Sequence, residues 1–144
     1  MLVDHILERK GRDVATIAPD ASVAEALQRL REHNVGALVV SPDGSTVAGI
    51  LSERDVVRHL AATGAGLLEH PVAEIMERDV HSCTGSDTCD QLMHKMTEHR
   101  IRHLPVVEAG QLRGIISIGD VVKTRVDELE REQSQLVDYI RSPY

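Results

Sequence analysis

"GILSERDVV" (Gly49 to Val57) and "GIISIGDVV" (Gly114 to Val122) carry Gly, Ile, Ser, Asp, Val and Val at the same relative positions. Each run starts in a β-branched stretch, passes a serine, and enters a segment with a carboxylate three residues further on. A serine just before a helix accepts a hydrogen bond from an unpaired backbone N–H, and an acid in the first turn suits the helix dipole. Each run therefore reads as the end of a strand followed by the start of a helix. Its occurrence twice reads as duplication of a larger unit.

The duplication extends on both sides. Asp13-Val14 recurs 66 residues on as Asp79-Val80, and Glu32-His33 as Glu98-His99. Leu38, Val40 and Gly44 recur as Leu104, Val106 and Gly110. One deletion in the second copy then shortens the offset to 65, which aligns the two quoted runs. Val23, Ala26, Leu27 and Leu30 have the i, i+3, i+4, i+7 spacing of a helix with one buried face, and Cys89, Leu92, Met93 and Met96 answer them. Both helices open with a capping-box signal, Ser22 with Glu25 and Thr88 with Gln91. "ALVVS" (37–41), "PDGS" and "VAGILS" (47–52) predict a hairpin, as do "HLPVVE" (103–108), "AGQ" and "LRGIIS" (112–117). Val3, Ile6 and Leu7 match Val72, Ile75 and Met76 on short helices ahead of each unit.

The predicted fold is α+β: two β-α-β-β-α repeats related by a pseudo-two-fold, with a long C-terminal helix. The expected divisions are a first repeat with its N-terminal helix (1–63), a second repeat (64–125) and a helical tail (126–144), with "ATGAG" (62–66) as the linker. One unit of about 50 residues buries too little surface to be secure alone, so the two are expected to pack face to face and form paired clefts. In the tail, Val122, Val126, Leu129, Gln133, Leu136 and Ile140 alternate by four and three, a heptad-like seam. It fits packing on a second subunit; the alternative is a helix folded back on its own body.

The 144 residues are 42% apolar and 27% charged, ordinary for a soluble domain. No run approaches the roughly 18 apolar residues of a membrane span. Early charges in "MLVDHILERKGRD" do not fit a signal peptide, so a cytoplasmic protein is expected. The net charge of −7 and the absence of Phe and Trp weigh against nucleic-acid binding. Cys83 and Cys89 are too few for a disulfide framework. Both stand at positions that are apolar in the sister copy, so no metal is expected despite His81, His94 and His99 nearby. No Gly-x-Ser-x-Gly, Walker loop or HExxH is present. His103 or Asp120 could move a proton, but no nucleophile and base are paired, so no enzyme is expected.

The repeated turn has a structural reading as an ordinary cap and a functional one as a nucleotide site. Free N–H groups and the Ser hydroxyl at a helix start suit a phosphate, and a nearby Asp can accept both hydroxyls of a ribose, as acids do in dinucleotide sites. Gly49 and Gly114 would let the ligand approach the backbone. Largely aliphatic surroundings would flank adenine, with Ile17, Ala37 and Leu38 as candidates in the first unit and Cys83, His103 and Leu104 in the second.

The element order, the two Gly-x-x-Ser-x-x-Asp turns and "RHLPVV" (102–107) resemble a tandem cystathionine-beta-synthase (CBS) domain pair, or Bateman module, of the stand-alone bacterial type. The resemblance spans residues 3 to about 125. It implies a regulatory module that binds AMP, ATP, NAD(H) or another adenosine ligand and acts through conformational change of a homodimer, with an unknown protein target as a further partner. It implies that Asp55 and Asp120 hold ribose, that Ser52 and Ser117 meet phosphate, and that backbone groups around Thr16-Ile17 and Ser82-Cys83 meet adenine. Arg102 and His103, ahead of Leu104-Pro105, stand where the family often places phosphate contacts. The first copy has Gly36 and Ala37 there, with Arg54 as a possible substitute, so the second cleft is expected to be the better phosphate site. The alternative is a dimerisation or partner-binding scaffold with degenerate clefts.

Overall fold

The computed structural model describes residues 1–142. Helix α1 (Val3–Lys10) comes first. The first repeat follows as β1 (Thr16–Ile17), α2 (Val23–His33), β2 (Ala37–Val40), β3 (Gly49–Ser52) and α3 (Glu53–Thr63). Two short 3-10 turns, Ala65–Glu69 and Val72–Glu74, lead to the second repeat. That repeat contains α4 (Cys89–His99), β4 (His103–Glu108), β5 (Gln111–Ser117) and α5 (Ile118–Arg141). β1 pairs parallel with β2, and β2 antiparallel with β3. β4 and β5 form the second hairpin.

The two repeats are not equally complete. The expected first strand of the second repeat is reduced to one parallel bridge, Cys83 with Val106. Its two hydrogen bonds, Cys83 N–H to the Pro105 carbonyl (3.0 Å) and Val107 N–H to the Cys83 carbonyl (2.9 Å), hold the segment against β4. A shift in the β4–β5 register between Val106 and Val107 lies beside it.

The helix starts follow the caps. Thr88 Oγ1 accepts from the Gln91 N–H at 3.2 Å, and the Gln91 side chain takes the Thr88 N–H at 2.8 Å. Only half of the matching box forms at α2: Ser22 Oγ accepts from the Glu25 N–H at 3.1 Å, and no return bond is made by Glu25. Thr88→Ala should therefore lower stability by about 1 kcal/mol, visible as a lower midpoint in urea unfolding.

Each repeat's core is completed by the segment that precedes the other. Val3, Ile6 and Leu7 pack with Cys89, Leu92, Met96, Leu104 and Ile116 of the second repeat. Val72, Ile75 and Met76 pack with Val23, Leu38, Leu51 and Val56 of the first. The backbone repeats this crossing. Val3 N–H reaches the Asp87 carbonyl and Cys89 N–H the Met1 carbonyl, both at 2.9 Å. In the sister copy, Val72 N–H reaches the Ala21 carbonyl (2.8 Å) and Val23 N–H the His70 carbonyl (2.9 Å). α1 thus precedes the first repeat in sequence but belongs to the core of the second. An apolar face that neither half could cover by itself is buried by exchange.

α5 carries only two buried residues, Val121 and Thr124. From residue 129 to 142 every residue is exposed. The tail does not fold back on its own body: Val122, Leu136 and Ile140 are 53%, 62% and 78% exposed.

Candidate functional site

A cavity of about 380 Å³ opens between the repeats. One wall comes from the segment before β1 (Asp13, Val14, Ala15) and the connection from α2 into β2 (Asn34 to Ala37). The other wall is His103 at the start of β4, Ile115 on β5, and Ser117 and Asp120 at the start of α5. Lys10, at the end of α1, closes it. The cleft therefore draws on the first repeat, the second repeat and the exchanged helix.

Ser117 and Asp120 are set by the strand-to-helix turn. The Asp120 N–H donates to Ser117 Oγ (3.1 Å) and the Ser117 N–H to Asp120 Oδ2 (2.9 Å), a complete capping box. Lys10 Nζ reaches across to Asp120 Oδ2 at 2.6 Å and to the Ile115 carbonyl at 2.8 Å. Partial burial pushes the Asp120 carboxyl up, but the Lys10 ammonium and the Ser117 N–H outweigh it and leave the group below the usual carboxylate value. It is an anion at neutral pH. His103 is lowered from the ordinary histidine value, chiefly by burial and against the pull of Glu53, so its ring is neutral at pH 7. Gly36 lies directly against that ring: a Cβ there would stand 3.4 Å from His103 Cε1.

Ala37, His103, Ser117 and Asp120 are the sequence-predicted residues that the fold brings together around the cleft. Ser52 and Asp55 do not line it. They close the equivalent box at α3, where the Ser52 hydroxyl donates to Asp55 Oδ2 (3.0 Å) and the Ser52 N–H does so at 2.9 Å. Among the described residues Asp55 takes hydrogen bonds from Ser52 alone, with no counterpart of Lys10. Arg54 and Arg102 are exposed and stand outside the lining.

Several expected contacts are corrected by burial. Ile17, Leu38, Cys83 and Leu104 do not line the cleft, and their side chains pack in the two cores. The Cys83 thiol is pushed up to about 12 by burial and stays protonated. Its N–H and carbonyl are both spent on β4. Pro105 is buried on β4 opposite Ile115. Thr16 is half-buried on β1, where its carbonyl accepts from Arg29; Ser82 is exposed and its carbonyl accepts from Lys95. Gly49 and Gly114 do admit a close approach, but by the exchanged segments rather than by a ligand. A Cβ at Gly49 would stand 2.6 Å from Met76 Sδ and 2.9 Å from the Glu77 carbonyl oxygen. At Gly114 it would stand 2.7 Å from Leu7 Cδ2.

The lining residues that sequence reasoning missed are Lys10, the 13–15 segment, Asn34 to Gly36 and Ile115. The repeat itself held a partial signal, since Asp13-Val14 recurs as Asp79-Val80 in a stretch with no other assigned role. Nothing local pointed to Lys10, whose partner lies 110 residues away. Among the described residues no group of three or more His, Cys, Asp or Glu side chains is placed to hold a metal ion. No helix there is long and apolar enough to cross a membrane.

Comparison with known proteins places these features. The chain is 37% identical to the mitochondrial CBS domain-containing protein CBSX3 of Arabidopsis thaliana, over 99% of this chain and 73% of that one. The crystal structure of the CBS-domain protein ATU1752 from Agrobacterium tumefaciens superposes with a TM-score of 0.83 at 49% identity, covering 86% of this chain and 92% of that one. The CBS domain protein PAE2072 from Pyrobaculum aerophilum, solved in complex with AMP, superposes with a TM-score of 0.72 at 26% identity, over 83% and 89% of the two chains. The CBS domain model matches residues 6–62 and again 72–127. The chain is a tandem pair of CBS domains and belongs to the CBS-domain family.

Proposed function

We propose that the protein is an adenine-nucleotide-binding regulatory module that works as a homodimer. The observation that carries this reading is the inter-repeat cleft: a cavity of nucleoside size with an ionised carboxylate and a helix start on one wall. Asp120 accepts the ribose hydroxyls, and Ser117 with the first turn of α5 faces the phosphate. Adenine lies against Val14, Ala15, Val35 and Ala37, since no Phe, Tyr or Trp lines the cleft. The AMP complex of PAE2072 supports this ligand class. The Ser52–Asp55 turn is the weaker candidate site, because it does not line the cleft and has no counterpart of Lys10.

The exposed seam on α5 is the proposed dimer contact. Its four-three spacing is self-complementary, and Val57 and Leu60 on α3 add apolar surface. Ligand that prefers one arrangement of the repeats shifts its population, and α5, which starts at Asp120, carries the change into the tail. Calorimetric titration with AMP, ATP and NAD(H) tests the reading. Saturable binding of at least one, at one dominant site per chain, is expected. The same seam also favours a second reading, a dimerisation scaffold with an idle cleft. Thermal melting separates them: ligand at 100 times its Kd adds about 2.7 kcal/mol, whereas unchanged melting with all three compounds at millimolar concentration favours the scaffold.

A further inference from the structure

A phosphate in the cleft needs a cation, and Lys10 is the one Lys or Arg among its lining residues. Arg102 stands outside, and burial disfavours the charged form of His103. Lys10 is already engaged with Asp120 at 2.6 Å. Lys10 and Asp120 also line a smaller cavity of about 90 Å³, together with Arg9 and Lys123, so their ion pair is the partition between the two spaces.

Asp120 Oδ2 holds two donors, the Lys10 ammonium and the Ser117 N–H. A ribose brings two further O–H donors to the same carboxylate. If they displace Lys10, its partly exposed ammonium gives up a 2.6 Å ion pair, and an anion on the ligand restores one. A phosphorylated nucleoside brings that anion with it. A bare nucleoside does not.

Resting on the nucleotide reading above, we propose that Lys10 is the phosphate-recognising residue of the cleft, exchanging Asp120 for the ligand's phosphate as the ribose takes the carboxylate. Lys10 then opposes a neutral nucleoside and favours a nucleotide, so the cleft selects for phosphate through a residue of the exchanged helix. α1 stays docked during the exchange, because Val3, Ile6 and Leu7 are buried in the core of the second repeat.

Calorimetric titration of adenosine and AMP into wild type, Lys10→Met and Lys10→Arg tests the exchange. Lys10→Met should bind AMP at least about tenfold more weakly and adenosine as well as or better than wild type does. Lys10→Arg, which keeps the charge, should keep the preference for AMP. An equal change for both ligands in Lys10→Met, or a Lys10→Arg protein that loses the preference as completely, overturns the proposal. Wild type that binds neither ligand overturns this inference, and the nucleotide reading falls with it if ATP and NAD(H) also fail to bind. Wild-type binding with an unaltered ratio in Lys10→Met defeats the role of Lys10 alone.

Discussion

Asp120→Ala should weaken binding of the preferred adenine nucleotide by about 10- to 100-fold, since hydrogen bonds to a charged acceptor contribute about 1.5–3 kcal/mol. The carboxylate is ionised, fixed by the Ser117 cap and turned into the cleft, so its oxygens are oriented before the ligand arrives. Asp55→Ala should cost much less, because Asp55 does not line that cleft. Removing Asp120 also removes a helix cap, so Thr88→Ala serves as the control: it loses a capping residue of α4 away from the cleft and should bind as wild type does. If Asp120→Ala titrates like wild type, the ribose assignment is wrong.

Leu7→Ala should destabilise the protein by about 2–5 kcal/mol, lowering the melting temperature by about 6 to 15 °C. Leu7 is fully buried in the second repeat's core, although it stands in the helix ahead of the first. It also fills the space over Gly114, where no side chain would fit. Hydrogen exchange should accordingly quicken first in β4, β5 and α4. If protection falls first in β1, β2 and α2, the exchanged packing of α1 is wrong.

Local signals were legible in the chain and long-range pairings were not. The Ser-x-x-Asp boxes at α3 and α5 depend on four consecutive residues, and both stand where the duplicated run places them. The apolar triplet Val3, Ile6, Leu7 showed that α1 has a buried face. Periodicity cannot say which core receives that face, and the crossing was missed for that reason. Gly49 and Gly114 signalled close approach to the backbone, but not whether a ligand or a side chain approaches. Ile17, Leu38, Cys83 and Leu104 were read as slot-lining because an aliphatic slot and an aliphatic core draw on the same residue types. Burial assigns them to the core. Lys10 is a basic residue in the last turn of α1, which suits the helix dipole, and only the fold brings it to Asp120.

The most direct measurement of the central claim is a crystal structure grown with AMP. Both ribose hydroxyls should lie about 3 Å from the Asp120 carboxylate, with the phosphate at the start of α5 and adenine between the 13–15 segment and Val35-Gly36-Ala37. Density for AMP elsewhere on the molecule, or a vacant cleft with Lys10 still on Asp120 at saturating AMP, would contradict it.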